Sequence, residues 1–197
     1  MNRGMSQVGH EQPLLGDCFE SLRPSGANVL MPLWETPVHA EYEQHLDAIR
    51  WADFDTAYGA AVDVPRQLRM LAGSDRQAAL DAAHELWCGL CHQHVQVGSA
   101  ALPALPFLLT VLDQADRQIS IELLDILLGF ALGVNRQRLE DYQRSIGRVP
   151  PLEESWRTEL RSALLAEVPR FQKQASSADE DLAGYAITTL EELGVKT

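Results

Sequence analysis

Two stretches of this chain align with each other without a gap: VPRQLRMLAGSDRQAALDAAHELW at residues 64–87 and LPFLLTVLDQADRQISIELLDILL at residues 105–128. The tripeptide Asp-Arg-Gln that starts at Asp75 recurs at Asp116, 41 residues later. A period of about 40 residues is typical of units made of two stacked helices. The sequence therefore predicts an all-α chain built from repeated helix pairs.

A third, weaker copy occupies residues 168–193 and begins 63 residues after the second, so 22 additional residues separate these two copies. In each copy a proline lies near the start of the first helix and an aspartate stands where the second helix begins. Proline is favoured in a first helical turn and aspartate at an N-cap. The residues in these positions are Pro65, Pro106 and Pro169, and Asp75, Asp116 and Asp179.

This punctuation resembles HEAT repeats. The resemblance implies a right-handed α–α superhelix of about three helix pairs, in which the second helices line a concave wall used for protein contacts. We expect a helical cap from Pro37 to about Ile49, because a possible N-cap threonine precedes the proline. The predicted organisation is an irregular N-terminal arm at 1–36 and one solenoid domain at 37–197, with an insertion at about 134–151.

A closer resemblance lies in the sequence segments around the first copy. Trp51 is followed by AYGAAVDVP at residues 57–65, and the second helix ends with Trp87, Leu90, His92 and Gln93 in a W-x-x-L-x-H-Q pattern. These segments are similar to those of a family of small bacterial HEAT-repeat, armadillo-like proteins. The resemblance implies an interaction protein and brings no catalytic residue with it.

The composition is strongly acidic, with 28 Asp and Glu against 16 Lys and Arg, a formal net charge of -12. Such a surface repels nucleic-acid phosphates and favours a basic protein partner. The sequence has no apolar run long enough for a membrane span, and its first twenty residues lack the apolar core of a secretory signal. We therefore expect a cytoplasmic protein that contacts neither nucleic acid nor membrane.

The stretch WCGLCHQH at residues 87–94 matches the C-x-x-C-H spacing of c-type haem attachment. It falls at the end of a predicted helix, on which Leu80, Ala83, Trp87, Leu90 and Cys91 form one apolar face with Ala79 and Leu86 at its margin. His84, Cys88 and Cys91 have the spacing of zinc ligands, but a fourth ligand is missing and buried free cysteine is common. We predict no metal and no cofactor.

No nucleophile, base and orienting group assemble in this sequence, and it contains none of the common catalytic or phosphate-binding motifs. We therefore predict no catalytic residues and a protein that is not an enzyme.

Candidate binding residues lie on the predicted second helices. Asp81 and Glu85 point away from the apolar face, with His84 at its edge, while the repeat register places Glu122 and Asp125 at the positions of Asp81 and His84. Adjacent repeats thus offer acids in the same row, which either binds a basic partner or simply solvates the helices.

The inserted segment VNRQRLEDYQRSIGRVPP at residues 134–151 carries four arginines within this acidic chain. Arg138 and Tyr142 are its candidate partner-binding residues, since guanidinium groups suit carboxylates on a partner. The alternative is a short helix that caps the gap between copies two and three.

These features favour a non-enzymatic protein-binding module, most concretely an immunity-type inhibitor that neutralises a basic bacterial toxin by direct binding. The alternative is a general scaffold or regulatory adaptor, and a distant alternative is a HEAT-type enzyme such as a bilin lyase. A neighbouring reading frame that ends in a small basic domain would favour the inhibitor.

Overall fold

The computed structural model describes residues 37–92, 94, 96–145, 147 and 154–196. The arm predicted at 1–36 lies outside the described residues, as does part of the predicted insertion. Nine α-helices lie within the described ranges, with two short hairpin-like elements between them. The all-α prediction is confirmed.

The elements follow one another in a simple order. The helices are α1 (Pro37–Ala48), α2 (Val64–Leu71), α3 (Arg76–Cys91), α4 (Ala101–Leu112), α5 (Arg117–Val134), α6 (Arg136–Ser145), α7 (Ser155–Ala166), α8 (Val168–Ala175) and α9 (Glu180–Glu192). A 3-10 turn (Trp51–Asp53) and strands β1 (Asp55–Thr56) and β2 (Gly59–Ala60) lie between α1 and α2, and β3 (Gln96–Val97) lies between α3 and α4.

The second helix of each predicted copy begins with an aspartate cap, as the sequence indicates. The side chain of Asp75 accepts hydrogen bonds from the backbone amides two and three residues ahead, and Asp116 and Asp179 do the same. A carboxylate in this position satisfies amides that have no partner within the helix and complements the positive helix end. The three equivalent starts of α3, α5 and α9 are therefore set by local chemistry.

The same aspartates connect successive helices. Arg76 follows the first cap and donates through Nε to Asp116 Oδ2 at 2.7 Å. Arg117 follows the second cap and pairs with Asp179, and its Nη2 also donates to Asp181 Oδ2 at 2.7 Å. Each arginine thus ties the start of its own helix to the start of the next one.

Helix α5 lies at the centre of the molecule. It packs against α3 on one side and α9 on the other, while α4 packs against α2, α5 and α7. All twelve residues of α4 are buried, which accounts for its almost wholly apolar sequence. Within the described part of the chain no single helix is both long and apolar enough to cross a membrane; α5 and α6 meet that test only together, and they are bent by 73°.

Aromatic side chains join the N-terminal helix to the repeats. Phe107 on α4 meets Tyr42 edge to face, with ring centroids 5.0 Å apart, and lies 6.3 Å from the ring of Trp51. The buried Tyr42 hydroxyl donates to Leu68 O at 2.9 Å, and Trp51 Nε1 donates to Leu46 O at 3.0 Å. These pairings leave no donor of the two side chains unsatisfied in the core.

The predicted insertion is largely helical. Helix α5 extends to Val134, and α6 then packs on α5 without burying any of its own side chains. A short helix is thus present in the predicted insertion, and its Arg138 reaches Glu192 of α9, while α5 also packs directly against α9.

Helix α7 supports the ends of the two neighbouring second helices. Arg157 Nη1 donates to Gly133 O at 2.8 Å, and Arg161 Nη2 donates to Leu193 O at 2.8 Å. Carbonyls at a helix C-terminus lack partners within the helix, and cations are favoured there. The chain between copies two and three is therefore a support for α5 and α9.

We expect Asp116→Ala to lower the free energy of unfolding at pH 7 by about 1 kcal/mol, because α5 loses its N-cap. Hydrogen bonds from the Ile119 amide and from Arg76 hold the pKa of Asp116 below its usual value. This contribution is complete above the unfolded-state pKa of about 4 and is lost as the pH falls through the lower folded-state pKa, so the deficit shrinks in acid. Urea titrations at pH 7 and in acid measure it.

The matched control is Asp116→Asn, which retains a good N-cap residue but removes the charge. A deficit for the alanine variant that is independent of pH would contradict the role assigned to the ionised side chain.

Candidate binding face

Asp81 and Glu122 occupy equivalent positions on adjacent second helices. Asp81 on α3 is exposed and accepts a hydrogen bond from Gln77 Nε2 at 2.9 Å. Glu122 on α5 is half-buried. Neither carboxylate pairs with a cation among the described residues. In the repeat register these two negative charges, neither of them paired with a cation, belong to one row that crosses two packed helices.

Asp125 lies one turn further along α5 and meets a histidine that the sequence analysis left outside the row. Its Oδ1 is 3.0 Å from His94 Nε2, and both side chains are largely buried. His94 occupies a tight reversal after α3, where its φ is 56° and its amide donates to Cys91 O at 2.8 Å. This left-handed backbone brings the imidazole over α5, against the carboxylate of Asp125.

The reversal is held by short antiparallel bridges and by close approach to α5. Cys91 pairs with Val97 and His92 with Gln96. A Cβ built on Gly129 would lie 2.7 Å from Cys91 Sγ, and one on Gly133 would lie 2.3 Å from Val97 Cγ2. Both distances are far below van der Waals contact. The two glycines of α5 are therefore required for this packing.

We expect Gly133→Ala to lower the free energy of unfolding by about 1–3 kcal/mol, because the added methyl group overpacks the contact with Val97. Gly184→Ala is the matched control: it also lies within a helix, but its Cβ meets nothing within 4 Å. That variant should be neutral or slightly stabilising, since alanine has the higher helix propensity. Equal melting temperatures for the two variants would contradict the assigned contact.

Aromatic rings connect α3 to the same place. The rings of His84 and Trp87 are stacked with centroids 6.1 Å apart, and Trp87 meets His94 edge to face at 5.9 Å. Trp87 and Leu80 were expected on the apolar face of this helix, but both are only half-buried. Leu86 and Ala79, expected at the margin, are fully buried. The buried face of α3 is centred on Leu86, which turns Trp87 towards the acidic residues.

Helix α9 adds a tyrosine that the sequence analysis missed. Tyr185 lies 63 residues after Glu122, the same offset that relates copies two and three, so the register contained the signal. Its pKa is raised by partial burial and then by the charges of Asp125, Glu122 and Asp181. Carboxylates from both α5 and α9 therefore lie near the Tyr185 hydroxyl. We call Asp81, Glu122, Asp125, Asp181 and Tyr185 the acidic face.

Three of the sequence-predicted binding residues lie elsewhere or in another setting. Glu85 does not join the row: its Oε2 accepts from Arg66 Nη2 at 3.2 Å and from Gln67 Nε2 at 3.1 Å, so it faces α2. Arg138 lies on α6 and pairs with Glu192 at 3.4 Å, near the C-terminus of α9.

Tyr142 is exposed on α6. The acidic face, by contrast, lies in the N-terminal halves of the second helices. His84 is exposed at the edge of this face and Asp125 lies within it.

The cysteines of WCGLCHQH have different surroundings. Cys91 is fully buried, its Sγ donates to Trp87 O at 3.4 Å, and burial, followed by the charges of Asp125 and Cys88, raises the pKa of its thiol. Cys88 Sγ lies 3.8 Å from His84 Nε2. Within the ranges that the structure describes, no group of three or more histidine, cysteine or acidic side chains is arranged to hold a metal ion.

Because Cys91 is fully buried and both cysteines lie on a helix, we expect the purified protein to carry less than one zinc per chain and no haem. Elemental analysis and the absorption spectrum of denatured protein measure this. One zinc per chain that is lost in Cys88→Ser, or a Soret band that survives denaturation, would contradict the expectation.

Comparison of the chain with family models, curated proteins and solved structures finds no match in any of the three.

Proposed function

We propose that this chain is a non-enzymatic protein-binding module, a right-handed α–α superhelix of HEAT-like helix pairs whose acidic face binds a basic protein. The observation that carries the proposal is the pair Asp81 and Glu122, which lie at equivalent positions on packed helices without a compensating cation. Asp125 adds its charge near Tyr185, as does Asp181, although Asp181 is paired with Arg117.

The chemistry of this surface suits arginine and lysine side chains. Several carboxylates with the same sign, close to half-buried aromatic rings, create a negative potential that attracts cations and accelerates encounter with a positively charged partner. The net charge of -12 extends this attraction over the whole molecule. The same charge opposes binding to a phosphate backbone.

In its specific form, the proposal is that the module is an immunity-type inhibitor of a basic bacterial toxin. A nuclease domain needs cationic groups where it holds phosphates, and an acidic face that covers those groups competes directly with the substrate. The acidity of the chain and the carboxylates of Asp81 and Glu122, which pair with no cation among the described residues, support this form. A scaffold or adaptor function would use the same face with a partner that is not toxic.

The test is co-expression with the polypeptide encoded in the neighbouring reading frame. We expect that polypeptide, or its basic C-terminal domain, to stop bacterial growth alone and to be tolerated when this chain is present, with a stable complex recovered from the cells. A binding partner that is harmless alone would contradict the inhibitor and support the adaptor. If the neighbouring polypeptide is toxic and cells that also produce this chain grow no better, the inhibitor function is contradicted directly.

The matched pair of variants in that test is Asp81→Lys/Glu122→Lys and Glu41→Lys/Glu159→Lys. The four residues carry the same charge, and both Glu41 and Glu159 are exposed, on α1 and α7 respectively. Both double variants have the same net charge. We expect only the first to lose protection, because its changes lie on the acidic face.

A further inference from the structure

The β1–β2 hairpin overlaps the AYGAAVDVP segment at residues 57–65, and no role has yet been assigned to it. Asp55 pairs with Ala60 and Thr56 with Gly59, so the tip consists of Ala57 and Tyr58. Gly59 has a φ of 123°, a conformation that favours glycine, and the Thr56 hydroxyl closes the turn by donating to Gly59 O at 2.9 Å. These residues build a tight, specific turn.

Two other parts of the chain hold this hairpin in place. The Ala57 amide donates to Gly89 O of α3 at 2.8 Å, and the Ala100 amide donates to Asp55 O at 3.0 Å. The Asp55 amide in turn donates to Ser99 Oγ at 2.9 Å. A Cβ on Gly98 would lie 2.1 Å from Asp55 O, so the two backbones cross as closely as glycine permits. The hairpin is a fixed projection.

The side chain at the tip of this projection is an exposed aromatic. Tyr58 is 69% exposed and Val62, just beyond β2, is 59% exposed. The Tyr58 hydroxyl lies 2.7 Å from His92 Nδ1, and the two rings meet edge to face at 5.4 Å. One edge of the tyrosine is therefore held by His92, while most of its ring faces solvent. Tyrosines presented rigidly in this way are enriched among the residues that dominate binding interfaces.

The surroundings of Tyr58 indicate the chemistry of its partner. Residues 51–65 contain three aspartates and no basic side chain. Asp53 pairs with Arg50, whereas Asp55 and Asp63 are exposed and pair with no cation among the described residues. An exposed aromatic ring in an acidic segment suits a guanidinium group, which stacks on the ring and is attracted by the negative charges.

The hairpin also continues the surface proposed above. Asp81 and Cys88 are seven residues apart and lie on the same side of α3, and His92 follows directly after the last residue of that helix. His92 holds Tyr58. The distance along the helix from Asp81 to His92 is about 16 Å, within the span of one protein interface.

We propose that Tyr58 is an aromatic anchor that receives an arginine side chain of the same basic partner, beyond the last residue of α3. This inference rests on the proposed function and adds to it a preference for arginine over lysine. The acidic face attracts either cation, whereas the tyrosine ring distinguishes them, because a planar guanidinium stacks on an aromatic face and a hydrated ammonium does so less well.

The test uses two probes of equal charge, N-acetylated nona-arginine and nona-lysine peptides, with affinities measured by calorimetry at low salt. We expect the protein to bind the arginine peptide roughly two- to fivefold more tightly, the size of effect given by one exposed cation–π contact. Tyr58→Ala should remove this preference, and Tyr58→Phe should retain it. The matched control is Tyr142→Ala, which truncates an exposed tyrosine on α6, far from the hairpin in sequence. This variant should also retain the preference for the arginine peptide.

The outcomes separate the anchor from the proposed function. Asp81→Lys/Glu122→Lys should weaken both peptides alike and leave the arginine preference intact. If Tyr58→Ala keeps the preference while that double variant weakens both peptides, the anchor is wrong and the acidic face stands. If the double variant binds both peptides as tightly as the parent, or if the parent binds neither peptide, the acidic face is wrong, and the anchor that rests on it fails as well.

Discussion

Replacing Phe107 with alanine is expected to lower the free energy of unfolding by about 3–5 kcal/mol, the usual cost of truncating a buried phenylalanine. Its ring is 1% exposed and contacts both Tyr42 and Trp51, so the cavity opens where α1, the 3-10 turn and α4 meet. A typical domain has only about 5–15 kcal/mol of stability in total. We therefore expect poor expression as well as a lower urea midpoint.

Trp87→Ala provides the comparison, since its side chain is larger but only half-buried. The loss should be smaller than for Phe107→Ala, because part of the space left behind is open to water. If the tryptophan variant is the less stable of the two in urea, the orientation of α3 described here is wrong.

Reversing Asp81 and Glu122 to lysine is expected to slow association with a labelled nona-arginine peptide by about tenfold or more at low salt. Both side chains lie off the apolar core, so the fold should be retained. The effect should decline as salt is added, because screening shortens the reach of the field to about 3 Å near 1 M. Stopped-flow mixing over a series of salt concentrations measures it.

Glu41→Lys/Glu159→Lys is again the control for net charge. It should slow association much less, because its charges lie on α1 and α7. Equal slowing by the two double variants would mean that total charge, rather than the acidic face, attracts the peptide. Unchanged circular dichroism and melting temperature are required of both variants before the rates are compared.

The repeating helix pairs were accessible to sequence analysis because their signals are local. A capping aspartate acts on amides two and three residues ahead, so Asp75, Asp116 and Asp179 identify the starts of α3, α5 and α9 without knowledge of the fold. The register then placed Asp81 opposite Glu122. The same register places Tyr185 at the position of Glu122, but a tyrosine breaks the pattern of repeated acids, so the pattern did not identify it.

The partners of individual side chains were not accessible in the same way. Glu85 has the exposure that the helical pattern predicts, but it pairs with Arg66, nineteen residues away on α2. The His92–Val97 reversal and the β1–β2 hairpin consist of two-residue strands, too short for an alternating pattern to reveal. They are stabilised by contacts with α5, α3 and the segment before α4, which only tertiary packing brings together.

The central claim, that the acidic face on α3, α5 and α9 is the binding surface, is tested most directly by mapping a bound cation. Backbone amide chemical shifts should be followed during titration with the nona-arginine peptide. We predict that the largest changes occur around Asp81, Glu122 and Tyr185 and continue towards Tyr58. Changes centred on α6 around Arg138 and Tyr142, or spread evenly over the surface, would contradict the claim.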